Sequence, residues 1–549
     1  MRIFRHLAAA LVVAGAWGCS DIEVVNPNNP DRDRTLANPA DVEALAASQF
    51  QQVIGATHGA IGRIQTGMMT ASFMSASTLA NNGMGPRSAI PRQQIDNAVG
   101  NTYQGENFAE YRLLSFVARN AADVLARSKA DGFSLGANRE GDRLRLNAWA
   151  HFVYGLAAGY LSLGYDSAGV PRPDDAAGFI PPLESYAAIN AFALAQFDSA
   201  LVYASTSGVT ALPGGWLTGP GGDGVSMAEF QKVVRSYAAQ VRASVARNSA
   251  ERAAVDWNQV IADATAGIDE DLLINMNPSL GWDYSWLATT LHFRDTNWHQ
   301  QPYYIIGMAD VSGAFATWLA TTRTDRTPFV IVTPDQRFPQ GATRAAQQRP
   351  VADDDDPLPA GQYYRNRAEG DQAAVGWEVS FYDDYRHRAF SDASRIGEFP
   401  ILTKAEVDML AAEGYIRTGN IPAAAALIDI TRTAAGLPAL TGAVTATGQP
   451  VPGGAQCVPQ VPIGTNPPAC GDIFEAMKWE KRIETAFTSW GAWFFDARGW
   501  GDLPIGTAVH WPVPSQEANA RVISIYNMGG AGNPGGATES TYGYGVGTR

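Results

Sequence analysis

The sequence predicts a mainly α fold, and three observations carry that prediction. Apolar residues recur three and four apart in residues 106–127, 144–163, 186–203, 228–246, 256–268, 404–418 and 422–435, the spacing that gives a helix one apolar face. Small residues, among them Ala411, Ala412, Gly414 and Ala423 to Ala426, sit where neighbouring helices would touch. A hydrophobic content of 46% with 14 Trp supplies a packed interior, not a disordered chain.

Taken in order, the chain opens on an address. Arg2, Arg5 and His6 precede a ten-residue apolar run, Leu7 to Ala16, too short to cross a bilayer as a helix. Residues 1–18 therefore read as a signal peptide, ending at Ala16-Trp17-Gly18-Cys19. A small residue followed by Cys resembles a lipobox, so Cys19 is the expected acylation site. Ala16 and Trp17 depart from the Leu and small residue usual there. Residues 19–40, rich in Pro and Asn, are expected to form an extended, lipidated tether.

Residues 41–274 hold the first helical region, and residues 275–399 form an irregular, aromatic-rich insert expected to face a ligand. The C-terminal region, 400–526, opens on a legible hairpin. Gly419-Asn420 stops one helix and starts the next, Pro422 suits a first turn, and Gly436 with Pro438 ends the second helix. Paired helices with small residues at their contacts look like tetratricopeptide-type hairpins, about four degenerate pairs. The tail, 527–549, is Gly-rich and expected to be mobile.

Composition narrows the partners. A net charge of −14 without Lys/Arg runs argues against nucleic acid and against adsorption to anionic lipid. Any membrane attachment then rests on the lipid anchor alone. Beside Cys19 only Cys457 and Cys470 remain, a pair in a Pro/Gly-rich stretch of an exported chain, which reads as a disulfide. Metal-protease (H-E-x-x-H) and dithiol (C-x-x-C) motifs do not occur. Gly414 to Gly419 has P-loop spacing, but Asn420 stands where the Lys must be. The acidic run Asp353 to Asp356 is read as a solvated loop, because calcium loops place ligands at alternate positions. No cofactor or metal is expected.

Three stretches carry a family resemblance. The first runs from Glu398-Phe-Pro-Ile-Leu through Ala412-Glu413-Gly414 to Arg432-Thr-Ala-Ala-Gly436-Leu-Pro438. The second is Glu480-Lys-Arg482-Ile-Glu484, then Asp496-Ala-Arg498-Gly-Trp500-Gly501. The third is His510-Trp-Pro512-Val-Pro514-Ser-Gln-Glu517. In this order they resemble the SusD/RagB family of nutrient-binding outer-membrane lipoproteins. Asp429 or Thr431 replaces the family's hairpin Asn, and Ala497 its Leu after the Asp.

The resemblance implies a non-catalytic surface lipoprotein. It would capture an oligosaccharide or peptide and deliver it to a SusC-like, TonB-dependent outer-membrane transporter. A surface glycoside hydrolase and a tetratricopeptide-type protein-binding scaffold are the alternatives. Glu480, Arg482, Glu484, Asp496 and Arg498, flanked by Trp479, Trp490, Trp493 and Trp500, read as a structural charge network.

The candidate ligand contacts are aromatic. Trp282, Tyr284, Trp286 and Trp298 share a short stretch with His292, Asp283, Arg294 and Asn297, and Trp377 and Tyr382 come later in the chain. Flat rings stack on the apolar faces of sugars while amides, carboxylates and Arg bind hydroxyls. The same rings also fill cores for their area.

Overall fold

The computed structural model describes residues 32–59, 63–76, 87–102, 104–176, 178–206, 208–285, 301–349, 357–367 and 380–547. Cys19, Trp286, His292, Trp298, Asp353 to Asp356 and Trp377 lie outside the described residues. The helices are α1 (Arg32–Ala37), α2 (Pro39–Ala47), α3 (Gln49–Thr57), α4 (Ile64–Ala71), α5 (Gln104–Ser128), α6 (Arg139–Gly164), α7 (Tyr186–Ala204), α8 (Met227–Ser244), α9 (Ser249–Ala253) and α10 (Trp257–Thr265). Then come α11 (Tyr303–Ile306), α12 (Ala314–Ala320), α13 (Arg344–Gln347), α14 (Arg388–Asp392), α15 (Lys404–Arg417), α16 (Ile421–Ala434), α17 (Ile473–Thr485), α18 (Ala492–Trp500) and α19 (Ser515–Ala520).

Helix starts obey the local chemistry. Ser185, Ser226, Asp256, Thr403, Asn420 and Asp472 each accept a backbone N–H from the first turn of α7, α8, α10, α15, α16 and α17, and Ser226 with Glu229 makes a full capping box. The helices stack as an array in which α5 packs on α6, α6 on α7, α8 on α10, α10 on α15, and α15 on α16 and α17. The fold is mainly helical, as expected.

Helix α6 is buried on almost every side, because its apolar residues point round the axis, Trp149, Phe152 and Leu156 to one face and Tyr154 and Leu161 to another. A Cβ at Gly155 would meet the Phe197 ring of α7, and one at Gly159 would meet Val241 of α8. These two glycines set how closely the array closes.

Strands are short antiparallel pairs: β1 (Gln94–Ile95) with β10 (Met528–Gly529), β2 (Ser167–Ala168) with β3 (Glu184–Ser185), β4 (Leu272–Met276) with β7 (Gly397–Leu402), β5 (Tyr364–Asn366) with β6 (Tyr382–Asp384), and β8 (Gln460–Val461) with β9 (Ala469–Cys470). In the β4–β7 pair Asn275 faces Glu398 and Met276 faces Gly397.

Two expectations are corrected. Residues 32–40 are not extended: Arg32–Ala37 and Pro39–Ala47 are helical, because Asn38 caps α2 and Pro39 occupies its first turn. The Gly-rich tail is docked. Tyr542 and Tyr544 are fully buried, and Tyr544 donates to the Tyr304 carbonyl at 2.5 Å. Gly543 (φ 69°) and Gly545 (φ 83°) make the turns on either side of Tyr544. Glycine here lets the chain thread closely while two tyrosines hold it.

The Cα atoms of Cys457 and Cys470 are 5.7 Å apart, with the sulfurs joined, a spacing suited to a bridge. Closing this loop of sequence separation 13 should contribute up to ~3 kcal/mol in the chain-entropy description. Peptide mapping of unreduced protein from an oxidising envelope is expected to recover the two cysteines linked. Quantitative alkylation of both without reductant would refute the bridge.

Candidate ligand-binding face

The structure sorts the aromatic candidates by burial. Tyr284 is fully buried, and its hydroxyl donates to Phe487 O (2.5 Å) and Thr488 O (3.1 Å). Its ring lies 4.6 Å from His58 and 4.5 Å from Phe399. Tyr382 is fully buried, donating to Gln347 Oε1 (2.6 Å) and accepting from Ile331 N (2.9 Å). Trp282 is 6% exposed and packs near Phe50. These three are core residues, which corrects their reading as ligand contacts. A ring whose polar tip finds partners inside is buried for its area.

What the buried rings do is anchor the insert. Tyr303 stacks on Phe329 at 4.0 Å, and Tyr304 stacks on Phe73 at 4.2 Å. Gln301 N donates to Tyr382 O (2.9 Å), and Arg367 N donates to Phe381 O (2.7 Å). Residues 286–300, which include Trp286 and Trp298, thus join the described chain at Tyr284-Ser285 and Gln301. Residues 368–379, which include Trp377, join it at Arg367 and Ser380. Three of these four attachment points, Gln301, Arg367 and Ser380, gather at the Tyr303–Tyr382 ring cluster. At the separate Tyr284 cluster, burial pushes the His58 imidazole down to about 4 against the hydrogen bond to Thr488 O.

Beside it lies an open groove of about 730 Å³, lined by Thr218, Asp223, Glu270, Asp271, Asn275 and Glu398 among others. A smaller hollow of about 230 Å³ shares Thr218, Glu270 and Asp271. Asn275 N donates to Thr218 O (2.8 Å), Thr218 Oγ1 donates to Asp223 O (3.0 Å), and Asp271 accepts from Lys404 N (2.7 Å), so the walls are braced. The groove ends at the Asn275–Glu398 register pair. Just beyond, Arg395 pairs with Asp283 at 3.0 Å, three residues before Trp286. Carboxylate and amide groups along an open wall accept hydrogen bonds from hydroxyl or N–H donors. Sequence reasoning missed this groove, although the Gly/Pro-rich run 213–224 between helices was a visible signal.

The signature charges face inward. Arg337 pairs with Asp335 (2.7 Å), Glu480 (2.7 Å) and Glu484 (3.0 Å), tying the insert to α17. Arg252 joins Glu413 (2.6 Å) of α15 to Asp496 (3.1 Å) of α18, and Lys481 adds a second cation to Asp496 at 2.8 Å. Arg482 and Lys478 share Asp502. Arg498 instead donates to three carbonyls, Leu163 (2.8 Å), Val509 (2.7 Å) and Ser244 (2.9 Å). Leu163 and Ser244 end α6 and α8, whose negative dipole ends stand in for a carboxylate. These groups brace the fold and do not line the groove.

No family model and no curated protein matches the sequence. Among solved structures, a SusD superfamily protein from Bacteroides vulgatus is similar at TM-score 0.52 and 12% identity, over 85% of this chain and 89% of that one. A SusD homolog from Parabacteroides distasonis gives TM-score 0.49 and 15% identity, over 88% and 93% of the two chains. Surface glycan-binding protein A from Bacteroides uniformis gives TM-score 0.49 and 12% identity, over 89% and 98%.

Proposed function

We propose that this chain, which has the fold of SusD superfamily proteins, is a non-catalytic surface lipoprotein that holds an oligosaccharide for a TonB-dependent outer-membrane transporter. The observation that carries the binding reading is the open, acceptor-lined groove running up to the root of the Trp-bearing insert. An extended polar ligand with apolar faces matches that pairing. Hydroxyls donate to Glu270, Asp271, Asn275 and Glu398, and rings stack on Trp286, Trp298 and Trp377. The buried signature carboxylates are paired with Arg and Lys, which supports a scaffold role for them over general acid–base work.

The test is affinity for a panel of polysaccharides and peptides by calorimetry. Replacing Trp286, Trp298 and Trp377 together by Ala should weaken glycan binding about tenfold or more, at ~0.5–1.5 kcal/mol per ring. Unchanged binding in that variant would remove the insert from the site. Release of new reducing ends by the pure protein would favour the glycoside hydrolase reading instead.

Attachment is tested separately. Cys19→Ser should yield a folded protein that leaves the membrane fraction, since stable anchoring takes more than one acyl chain and a lipoprotein terminus supplies them. Retention of the variant on membranes stripped of the transporter would assign the anchor elsewhere. For delivery, detergent extracts of native membranes should yield this chain together with a large β-barrel receptor.

A further inference from the structure

One stripe of α5 carries Arg112, Phe116, Arg119, Asp123 and Arg127, spaced to share a face. Its C-terminal half is covered by α1. Arg32 donates to Asp123 at 2.6 and 2.7 Å, and Arg127 Nε donates to Leu36 O at 2.7 Å. In its N-terminal half Phe116 is about half exposed. The loop before α7 reaches this spot through Asp175, which lies 3.8 Å from Arg119. That loop exposes Phe179 and Ile180. Its Pro181 carbonyl accepts from Arg521 Nη1 at 2.5 Å, bringing in Val522, 91% exposed, and Ile523.

Phe116, Phe179, Ile180, Val522 and Ile523 are thus exposed on three segments that the Arg119–Asp175 and Arg521–Pro181 contacts link. Solvated proteins rarely gather large apolar side chains this way without a use.

We infer that this patch rests on a lipid surface, the one to which the chain is tethered. The inference builds on the lipid-anchor reading of Cys19. Where the chain enters the fold chooses the occupant. Phe116 lies two turns, roughly 10 Å along α5, from Asp123, and Asp123 holds Arg32. Cys19 is thirteen residues before Arg32, so the anchor is at most about 45 Å away along the chain.

A body on so short a leash meets the membrane at high effective concentration, and a weak contact suffices. The net charge of −14 opposes electrostatic adsorption, so the seat is apolar, with Arg112, Arg119 and Arg521 at its rim. The groove belongs to the α8–α10–β4 side, separated from α5 by α6. A patch-down seat therefore leaves the groove open to solvent.

The test tethers the mature Cys19→Ser chain by an N-terminal oligohistidine tag to phosphatidylcholine vesicles doped with nickel-chelating lipid. An environment-sensitive fluorophore is placed at Val522→Cys or, as a control on α16, which packs on α15 and α17, at Ile430→Cys. Brominated acyl chains should quench the label at 522 about twofold or more, as for a group buried in the interface, and leave 430 unchanged. Adding Phe116→Ser and Phe179→Ser should abolish the quenching.

Equal or absent quenching at the two positions would overturn the proposal. So would concentration-dependent dimerisation in sedimentation that Phe179→Ser removes, since the patch would then join two copies. Because the tag replaces the acyl chains, these outcomes are independent of whether Cys19 is acylated. A failed anchor shows instead in the fractionation of Cys19→Ser.

Discussion

Arg498→Ala is expected to lower the unfolding free energy by ~3–5 kcal/mol, the range for breaking a buried charged hydrogen-bond set. Three carbonyls depend on this one guanidinium: Leu163 and Ser244 at the ends of α6 and α8, and Val509 in the segment after α18. Without Arg498 they stay in a dry interior with fewer donors, and two helix dipoles lose their cation. Burial and the neighbouring Arg247 press the Arg498 guanidinium well below the usual arginine range, so the site holds its charge at a cost that the carbonyls offset. Arg498→Lys should recover only part of the loss, because an ammonium lacks the planar fork that spans separate acceptors. Urea unfolding monitored by Trp fluorescence measures both. A midpoint for Arg498→Ala close to that of the parent would show that water replaces the guanidinium.

Arg252→Ala should be comparably severe and should also change the response to acid. It would leave Glu413 and Asp496 inside the fold, each with one fewer cation, at ~3–5 kcal/mol for a broken buried pair. Burial alone would raise the Glu413 carboxyl, but Arg252 and Arg417 hold it down to about 2 from 4.5.

A carboxyl depressed in the folded state stabilises fully above its unfolded value and loses that contribution as pH falls through the folded one. The parent should therefore lose roughly 3 kcal/mol from this group between about pH 4.5 and pH 2. In Arg252→Ala much of that acid sensitivity should vanish along with the stability. Titrating the urea midpoint against pH for both proteins decides it, and parallel acid profiles would mean that Glu413 is not the responding group. Replacing Arg252 and Glu413 together by apolar residues of similar size should cost less than Arg252→Ala alone, because Asp496 keeps Lys481 and no buried charge is left unpaired.

The helices were legible because their signals are local. The three-four apolar spacing marked α5 to α8, α10, α15 and α16, with ends within a few residues of those observed. Asn420, Pro422 and Gly436 punctuate the last hairpin as their side chains and backbone freedom require: Asn420 caps α16 and Gly436 turns at φ 76°. Helices α1 to α4 were not legible. Pro39 and the asparagines of the N-terminal stretch read as breakers, whereas Asn38 and Pro39 start α2. The same residue types serve a loop turn and a first helical turn, and the residues C-terminal to them decide between the two.

The candidate site divides the same way. The sequence located an aromatic-rich insert, and by composition it could not separate anchoring rings from exposed ones. Tyr284 and Tyr382 turned inward because Phe487 O, Thr488 O and Gln347 offered their hydroxyls partners in the interior, and those partners come from distant segments. The groove is assembled from residues near 218–223, 270–275 and 398, brought together by the β4–β7 register. No one-dimensional pattern connects them.

By itself, then, the sequence determined helix positions, the paired cysteines and the charged signature segments, since each is written within a few turns of chain. Tertiary structure alone decided which charges meet. Arg252 finds Glu413 and Asp496, Arg337 finds Glu480, and Arg498 finds two helix ends, at sequence separations from 143 to 335. It also decided that a glycine-rich tail is a docked strap, because Arg482 donates to Tyr542 and Tyr544 donates to Tyr304 O in the interior, partners that local composition does not reveal. The physical reason is one of range. Backbone propensity and capping act over a few residues, whereas desolvating a charge or a ring is favourable only when a distant partner is already in place.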